Sequence, residues 1–176
     1  MRIISGAYKG RKLFPPDGNN VRPTSDRAKE SLFNILQNRI DFDEMKCMDL
    51  FCGSGALGLE ALSRGASFCV FADVNTDTVS KNVKYLSAEA SCRIVRSDAL
   101  NFLRENKEYF DVIFCDPPYS YEGYDEIIKK VSETGSYFIL EHTEGFRLNA
   151  EFEKYLVQRK KTGTVNFSIM DFNSDL

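Results

Sequence analysis

From Cys47 to Glu141 the chain alternates short apolar runs with helical patterns, and this alternation constrains the fold more than any other feature. "CMDLF" (47–51), "FCVFAD" (68–73), "CRIVR" (92–96), "DVIFC" (111–115) and "SYFILE" (136–141) have the length and side-chain types of buried strands. Between them, "ALGLEALSR", the segment from Thr76 to about Ser87, "DALNFLREN" and "YDEIIKKVSE" read as helices. Strands alternating with helices give a parallel sheet covered on both faces. The pattern breaks in the last third. "KYLVQRKK" (154–161) and "TVNFSIMDF" (164–172) flank Thr162-Gly163 and read as a hairpin at the sheet edge. The expected fold is α/β: a doubly wound, mostly parallel seven-stranded sheet with a carboxy-terminal antiparallel hairpin.

A helix is expected from Thr24 or Ser25, either of which can cap it, to about Gln37, with "VRPT" stiffening its approach. With 176 residues, 43% of them hydrophobic, the chain fits one domain that buries roughly 70% of its unfolded surface. Its expected parts are a basic arm (1–24), the helix (25–38) and a core (45–176), with "PPDGNN" (15–20) a mobile loop. The cysteines (Cys47, Cys52, Cys69, Cys92, Cys115) are odd in number, lack CxxC spacing and lie largely in strand-like runs. Reduced thiols, no zinc site and a cytoplasmic location are expected. No stretch of eighteen consecutive apolar residues occurs.

The net charge of −3 is unevenly spread. Residues 1–29 hold seven basic side chains (Arg2, Lys9, Arg11, Lys12, Arg22, Arg27, Lys29) against Asp17 and Asp26, a local +5 that leaves −8 for the rest. A basic arm on an acidic body suggests a polyanion met at one end, or else a solvated tail.

"DLFCGSGALGLE" places Gly53, Gly55 and Gly58 between a strand and a helix, and Asp73 follows Gly53 by twenty residues at the end of the next strand. Backbone amides then meet a ligand, with a carboxylate where ribose hydroxyls would lie. Nicotinamide dinucleotides and S-adenosylmethionine both contain such an adenosine. Asp49, in the strand before the turn, repels a pyrophosphate and suits the ammonium and sulfonium of the methyl donor. Asp98 follows the third strand, so Asp49, Asp73 and Asp98 are expected to line one crevice; Asp98 also suits a helix cap.

"DVIFC" ends in Asp116-Pro117-Pro118-Tyr119, where prolines must stop the strand. The exocyclic amine of a base is a poor nucleophile because its lone pair is delocalised. The Asp116 carboxylate and Pro117 carbonyl supply two acceptors for its hydrogens, Pro118 stiffens the turn, and Tyr119 can stack on a flipped-out base.

These motifs resemble a known group. "DPPY" is the signature of methyltransferases acting on amino groups of adenine or guanine. "MRIISGAYKGRKL", "VRPTSDRAKESLFNIL" and "GSGALGLEALSRGA" closely resemble the bacterial small-subunit ribosomal RNA guanine-N2 methyltransferases of the RsmD family, over almost the whole chain. The resemblance implies S-adenosylmethionine as cofactor, N2-methylguanine as product and 16S rRNA in a small-subunit particle as substrate; no metal and a monomer are expected. It implies catalysis by Asp116, Pro117, Pro118 and Tyr119, and cofactor binding by Asp49, Phe51, Gly53, Gly55, Asp73, Asp98 and Asn34. RNA contacts fall to Arg2, Lys9, Arg11, Lys12, Arg22, Thr24 and Arg27. Cys52 and Asp73 depart from the usual alanine and glutamate, and His142 reads as structural. An adenine-N6 methyltransferase sharing the four residues, or a non-catalytic nucleotide-binding module, are the alternatives.

Overall fold

Seven strands join in one sheet: β1 (Lys46–Leu50), β2 (Phe68–Asp73), β3 (Cys92–Arg96), β4 (Val112–Cys115), β5 (Tyr137–His142), β6 (Leu156–Thr162) and β7 (Val165–Asp171). The computed structural model describes residues 1–16, 25–134 and 137–175. The strand order is β3-β2-β1-β4-β5-β7-β6, with β1 to β5 mutually parallel and β7 antiparallel between β5 and β6. The chain steps outward in opposite directions from β1 and β4, so a crevice opens at their carboxyl ends. Strand residues alternate between two apolar layers. Cys47 and Phe114 pack with Phe33 and Phe71 on one face, while Met48 and Ile113 pack with Val70 and Phe138 on the other.

The helices are α1 (Asp26–Leu36), α2 (Ala56–Ser63), α3 (Asp77–Leu86), α4 (Ala99–Glu105) and α5 (Tyr124–Ser132). Ser25 caps α1 by accepting the Ala28 N–H at 3.1 Å; Thr24, the other candidate cap, lies outside the described residues, as do 17–20 of the expected loop. β1 stops at Leu50, one residue early, because Phe51 turns to φ 55°. In the hairpin a 3-10 turn over Ala150–Tyr155 delays β6, and the reversal falls at residues 163–164, where Gly163 takes φ 63°.

Every residue of α2 is buried, although the helix carries Glu60. The amino-terminal arm covers it. Ile3 and Leu13 enter the core, Arg2 and Lys12 form an antiparallel bridge, and the Ala7 and Tyr8 amides donate to the Ser63 carbonyl and Oγ. At Gly6 a Cβ would lie 1.6 Å from the Ser63 carbonyl oxygen, so no larger residue fits this contact. Glu60 accepts from the Ile4 and Ser5 amides at 2.8 and 3.1 Å, and pairs with Lys29 Nζ at 3.1 Å and Arg64 Nε at 2.9 Å. Lys29, wholly buried, also donates to the Arg2 carbonyl at 2.6 Å. Burial pulls its ammonium below the ordinary lysine range, against the pull of Glu60. The described arm is therefore a packed element. Lys29 belongs to its core, and Arg2 is paired with Asp26 at 3.5 Å.

The cysteines are free thiols. Among the described residues no helix is long and apolar enough to cross a membrane, and no group of His, Cys, Asp and Glu is placed to hold a metal ion.

Candidate active site

A cavity of about 430 Å³ occupies the crevice at the carboxyl ends of β1, β2 and β4. Asp49, Asp73, Asp98 and Asp116 all line it, and Glu141, from the end of β5, joins them. Among the described residues that line it there is no lysine, arginine or histidine. The cavity is therefore built to hold positive charge.

Each acid is fixed by its strand end. Asp49 is 2% exposed, and its Oδ2 accepts the Gly58 N–H at 2.9 Å from the first turn of α2. Burial holds its carboxyl well above the ordinary carboxylate range; Asp116 and Asp73 push the same way against the Gly58 hydrogen bond. Asp73 accepts from the Gly53 and Asn75 amides, each at 2.9 Å, and so ties the glycine turn to the end of β2. Asp98 caps α4 through the Leu100 and Asn101 amides, serving as cap and lining at once.

The three glycines divide their work. Gly53 and Gly55 carry the turn at φ 51° and 76°. Gly58 lies inside α2, where a Cβ would come within 2.5 Å of the Phe71 ring and 2.6 Å of Cys69 Sγ; its task is close packing of helix on strand.

Beyond β4, the Asp116 N–H reaches the Leu50 carbonyl at 3.4 Å, holding the two strand tips together. Pro117 is buried, Pro118 is exposed, and Tyr119 stands 51% exposed at the rim. The Tyr121 N–H donates to the Pro118 carbonyl at 2.8 Å, and the Tyr121 ring meets Phe51 at 5.0 Å and Tyr124 at 5.6 Å, edge to face. Burial pushes the Tyr121 phenol up to about 12, so it stays neutral and backs the turn as an aromatic wall.

Of the sequence-derived cofactor residues, Asp49, Phe51, Gly53, Asp73 and Asp98 line the cavity, and Gly55 forms the turn behind it. Asn34 does not: it is exposed on α1, its carbonyl accepting from the Asn38 side chain. Arg22 and Thr24 lie outside the described residues; Arg2, Lys9, Arg11, Lys12 and Arg27 are exposed. His142 is bonded within the fold, with Nε2 2.9 Å from Ser168 Oγ and Nδ1 2.8 Å from the Thr143 carbonyl oxygen. Among the lining residues that sequence reasoning missed are Met1, Pro16, Ser54, Val74, Ala99 and Glu141. Val74, 68% exposed, carried a usable signal as an apolar residue directly after Asp73.

The family model described as "Conserved hypothetical protein 95" matches residues 1–171. The Ribosomal RNA small subunit methyltransferase D of Escherichia coli (strain K12) is 39% identical over 138 residues, covering 77% of this chain and 68% of that protein. Its Haemophilus influenzae counterpart is 34% identical over 180 residues, covering 96% and 92%. The solved structure of the Escherichia coli protein yhhF superposes with a TM-score of 0.81 at 32% identity, over 97% of both chains. The Thermus thermophilus 16S rRNA N2 G1207 methyltransferase, in complex with AdoMet and guanosine, shares the fold, with a TM-score of 0.67 at 19% identity over 88% of this chain and 44% of that one. By the extent of these matches, this chain belongs to the family of the ribosomal RNA small subunit methyltransferase D proteins.

Proposed function

We propose that the protein transfers a methyl group from S-adenosylmethionine to the exocyclic N2 amine of a guanine in 16S rRNA. The observation that carries this reading is the cavity lined by acidic residues, with no lysine, arginine or histidine among its described lining and with Asp116-Pro117-Pro118-Tyr119 as part of its wall. A pyrophosphate-containing dinucleotide would be repelled there, whereas a ligand with an ammonium and a sulfonium fits the charge. Asp49 and the glycine turn suit the charged methionine end, Asp73 the ribose, and the apolar Val74 and Ala99 the purine ring. Bound, the cofactor supplies an electrophilic methyl carbon on positively charged sulfur.

The chain's own residues then act on the acceptor. Tyr119, exposed at the rim, offers a face on which an unstacked base rests. Asp116 and the Pro117 carbonyl accept the amine's hydrogens, turning the nitrogen lone pair out of conjugation toward the methyl carbon. As the amine nitrogen gains the methyl group and the methyl–sulfur bond breaks to leave a neutral thioether, Asp116 or water takes the surplus proton. Arg2, Lys9, Arg11, Lys12, Arg22 and Arg27 grip phosphates, positioning the RNA without reading its sequence. RNA already shaped by ribosomal proteins, in a small-subunit particle, supplies the specificity.

The test is nucleoside mass spectrometry of particles from a strain lacking the gene, after incubation with the purified protein and S-adenosylmethionine. One new N2-methylguanosine in 16S rRNA is expected. N6-methyladenosine would establish the alternative acceptor, and no methylation would remove the enzymatic reading.

A further inference from the structure

Few aromatic rings of this chain stand in solvent, and two of them touch. Phe14 and Tyr85 are 49% and 40% exposed, with ring centroids 5.7 Å apart at 73°. The Arg11 guanidinium lies 4.6 Å from the centre of the Tyr85 ring, held there by hydrogen bonds from Nε to the Tyr85 hydroxyl at 3.3 Å and from a terminal nitrogen to the Tyr85 carbonyl at 3.0 Å. Burial does not explain this pair. A cation fixed over one ring and a second ring, edge-on to the first and left half bare, form an exposed, positively charged aromatic cluster.

The pair is joined to the active site through Asn82, a fully buried residue of α3. Its Oδ1 accepts the Phe14 N–H at 2.8 Å, and its Nδ2 donates to the Phe14 carbonyl at 3.0 Å and to the Ser54 carbonyl at 2.9 Å. Ser54 lines the cavity, as does Pro16, two residues beyond Phe14. The backbone under Phe14 is thereby fixed to the glycine turn. Lys12 is exposed beside it, and Lys81 stands one helical turn before Tyr85.

We infer that Phe14, Tyr85 and Arg11 form a stacking subsite for an unpaired RNA nucleotide near the one that is methylated. This rests on the RNA-methyltransferase reading of the cavity and adds a second base contact, distinct from Tyr119. Stacking on aromatic and guanidinium faces tolerates any base, so the subsite selects single-stranded over duplex RNA rather than a sequence. Its role is to hold the strand open at the mouth of the site.

The chain contains no tryptophan, so Phe14→Trp installs a single indole on the proposed platform. Its fluorescence should be quenched by a short single-stranded oligoribonucleotide, and much less by the same sequence as a duplex. In steady-state methylation at saturating S-adenosylmethionine, Phe14→Ala should raise KM for the RNA substrate roughly ten-fold, the scale of one lost base stack. Phe14→Trp should keep KM near that of the parent, and calorimetry should give the parent's affinity for S-adenosylmethionine in Phe14→Ala, which separates the subsite from a folding defect. An active parent enzyme whose Phe14→Ala form has unchanged KM, or whose indole ignores single strands, would overturn the subsite alone. A KM effect on particles with no response to free single strands would mark a protein contact and would also overturn it. A parent protein that methylates no RNA would instead remove the reading on which the subsite depends.

Discussion

Glu60 and Asp49 are both almost wholly withdrawn from water, and their surroundings differ. Glu60 in α2 has Lys29, Arg64 and two arm amides around its carboxylate. Asp49 in β1 has the Gly58 amide; burial first, then Asp116 and Asp73, raise its pKa, and no lysine, arginine or histidine is among the described residues lining the cavity it faces. A buried charge is costly unless paired. Glu60 is compensated within the fold and so works as a fastener. Asp49 is left undercompensated at a cavity, which is the state expected of a group whose partner arrives as a ligand.

The sharpest separation of chemistry from charge compensation is Asp116→Ala. Turnover should fall about a thousand-fold, as when a transition-state acceptor is removed, with S-adenosylmethionine affinity and thermal stability close to the parent's. Stopped turnover with parental calorimetry is the expected pair of results. Near-normal turnover would break the assignment of Asp116 to the acceptor amine.

Glu60→Ala tests the other pole. It strands Lys29 in the core and releases the Ile4 and Ser5 amides, which should cost about 3 kcal/mol or more, or roughly 10 °C in melting temperature. A change within a degree or two would show that the arm is held by its apolar contacts alone. The same network redirects the test of the arm's role in RNA binding. Deleting residues 1–12 would remove Ile3 and the cover of α2 together with the basic groups, so single substitutions of exposed Lys9, Lys12 or Arg27 are the cleaner probes.

At the rim, Tyr119→Ala should weaken turnover of RNA roughly ten-fold, the scale of one base stack, while Tyr119→Phe keeps most of it. Equal losses would give the hydroxyl a role that stacking does not need.

The sheet and the crevice were legible because their signals are periodic and local. "CMDLF", "FCVFAD" and "DVIFC" are strand-like without reference to anything else, and each carries or precedes its acid by short spacing. The arm was not legible in this way. Ile3 and Leu13 sit in two-residue apolar steps (Ile3-Ile4 and Leu13-Phe14) next to basic residues, too short to show a period, and their burial depends on α2 fifty residues later. The charge count likewise placed Lys29 with the exposed basic residues, since only the fold reveals Glu60 beside it. Met1, Pro16 and Glu141 reach the cavity from segments distant in sequence, which no local pattern encodes. Asn34 stands apart from the cavity lining for the converse reason: its motif position is evident, but helical phase turns it to solvent while Phe33 points into the core.

The undercompensated state of Asp49 has a pH signature. Because its folded-state pKa is raised, the folded chain binds more protons than the unfolded one. The stability linked to this group is present at low pH and lost as pH rises from the ordinary carboxylate range through the raised value. A cationic ligand works against that trend, since it favours ionised Asp49 and expels its proton on binding. The decisive measurement is calorimetric affinity for S-adenosylmethionine as a function of pH in the parent and in Asp49→Asn, which keeps the shape and an acceptor for the Gly58 amide. The expected result is tighter binding with rising pH and proton release in the parent, against weaker, pH-flat binding in Asp49→Asn, whose unliganded fold is at least as stable. Equal affinities with the same pH profile in both proteins would contradict the assignment of Asp49 and its cavity to a cationic methyl donor.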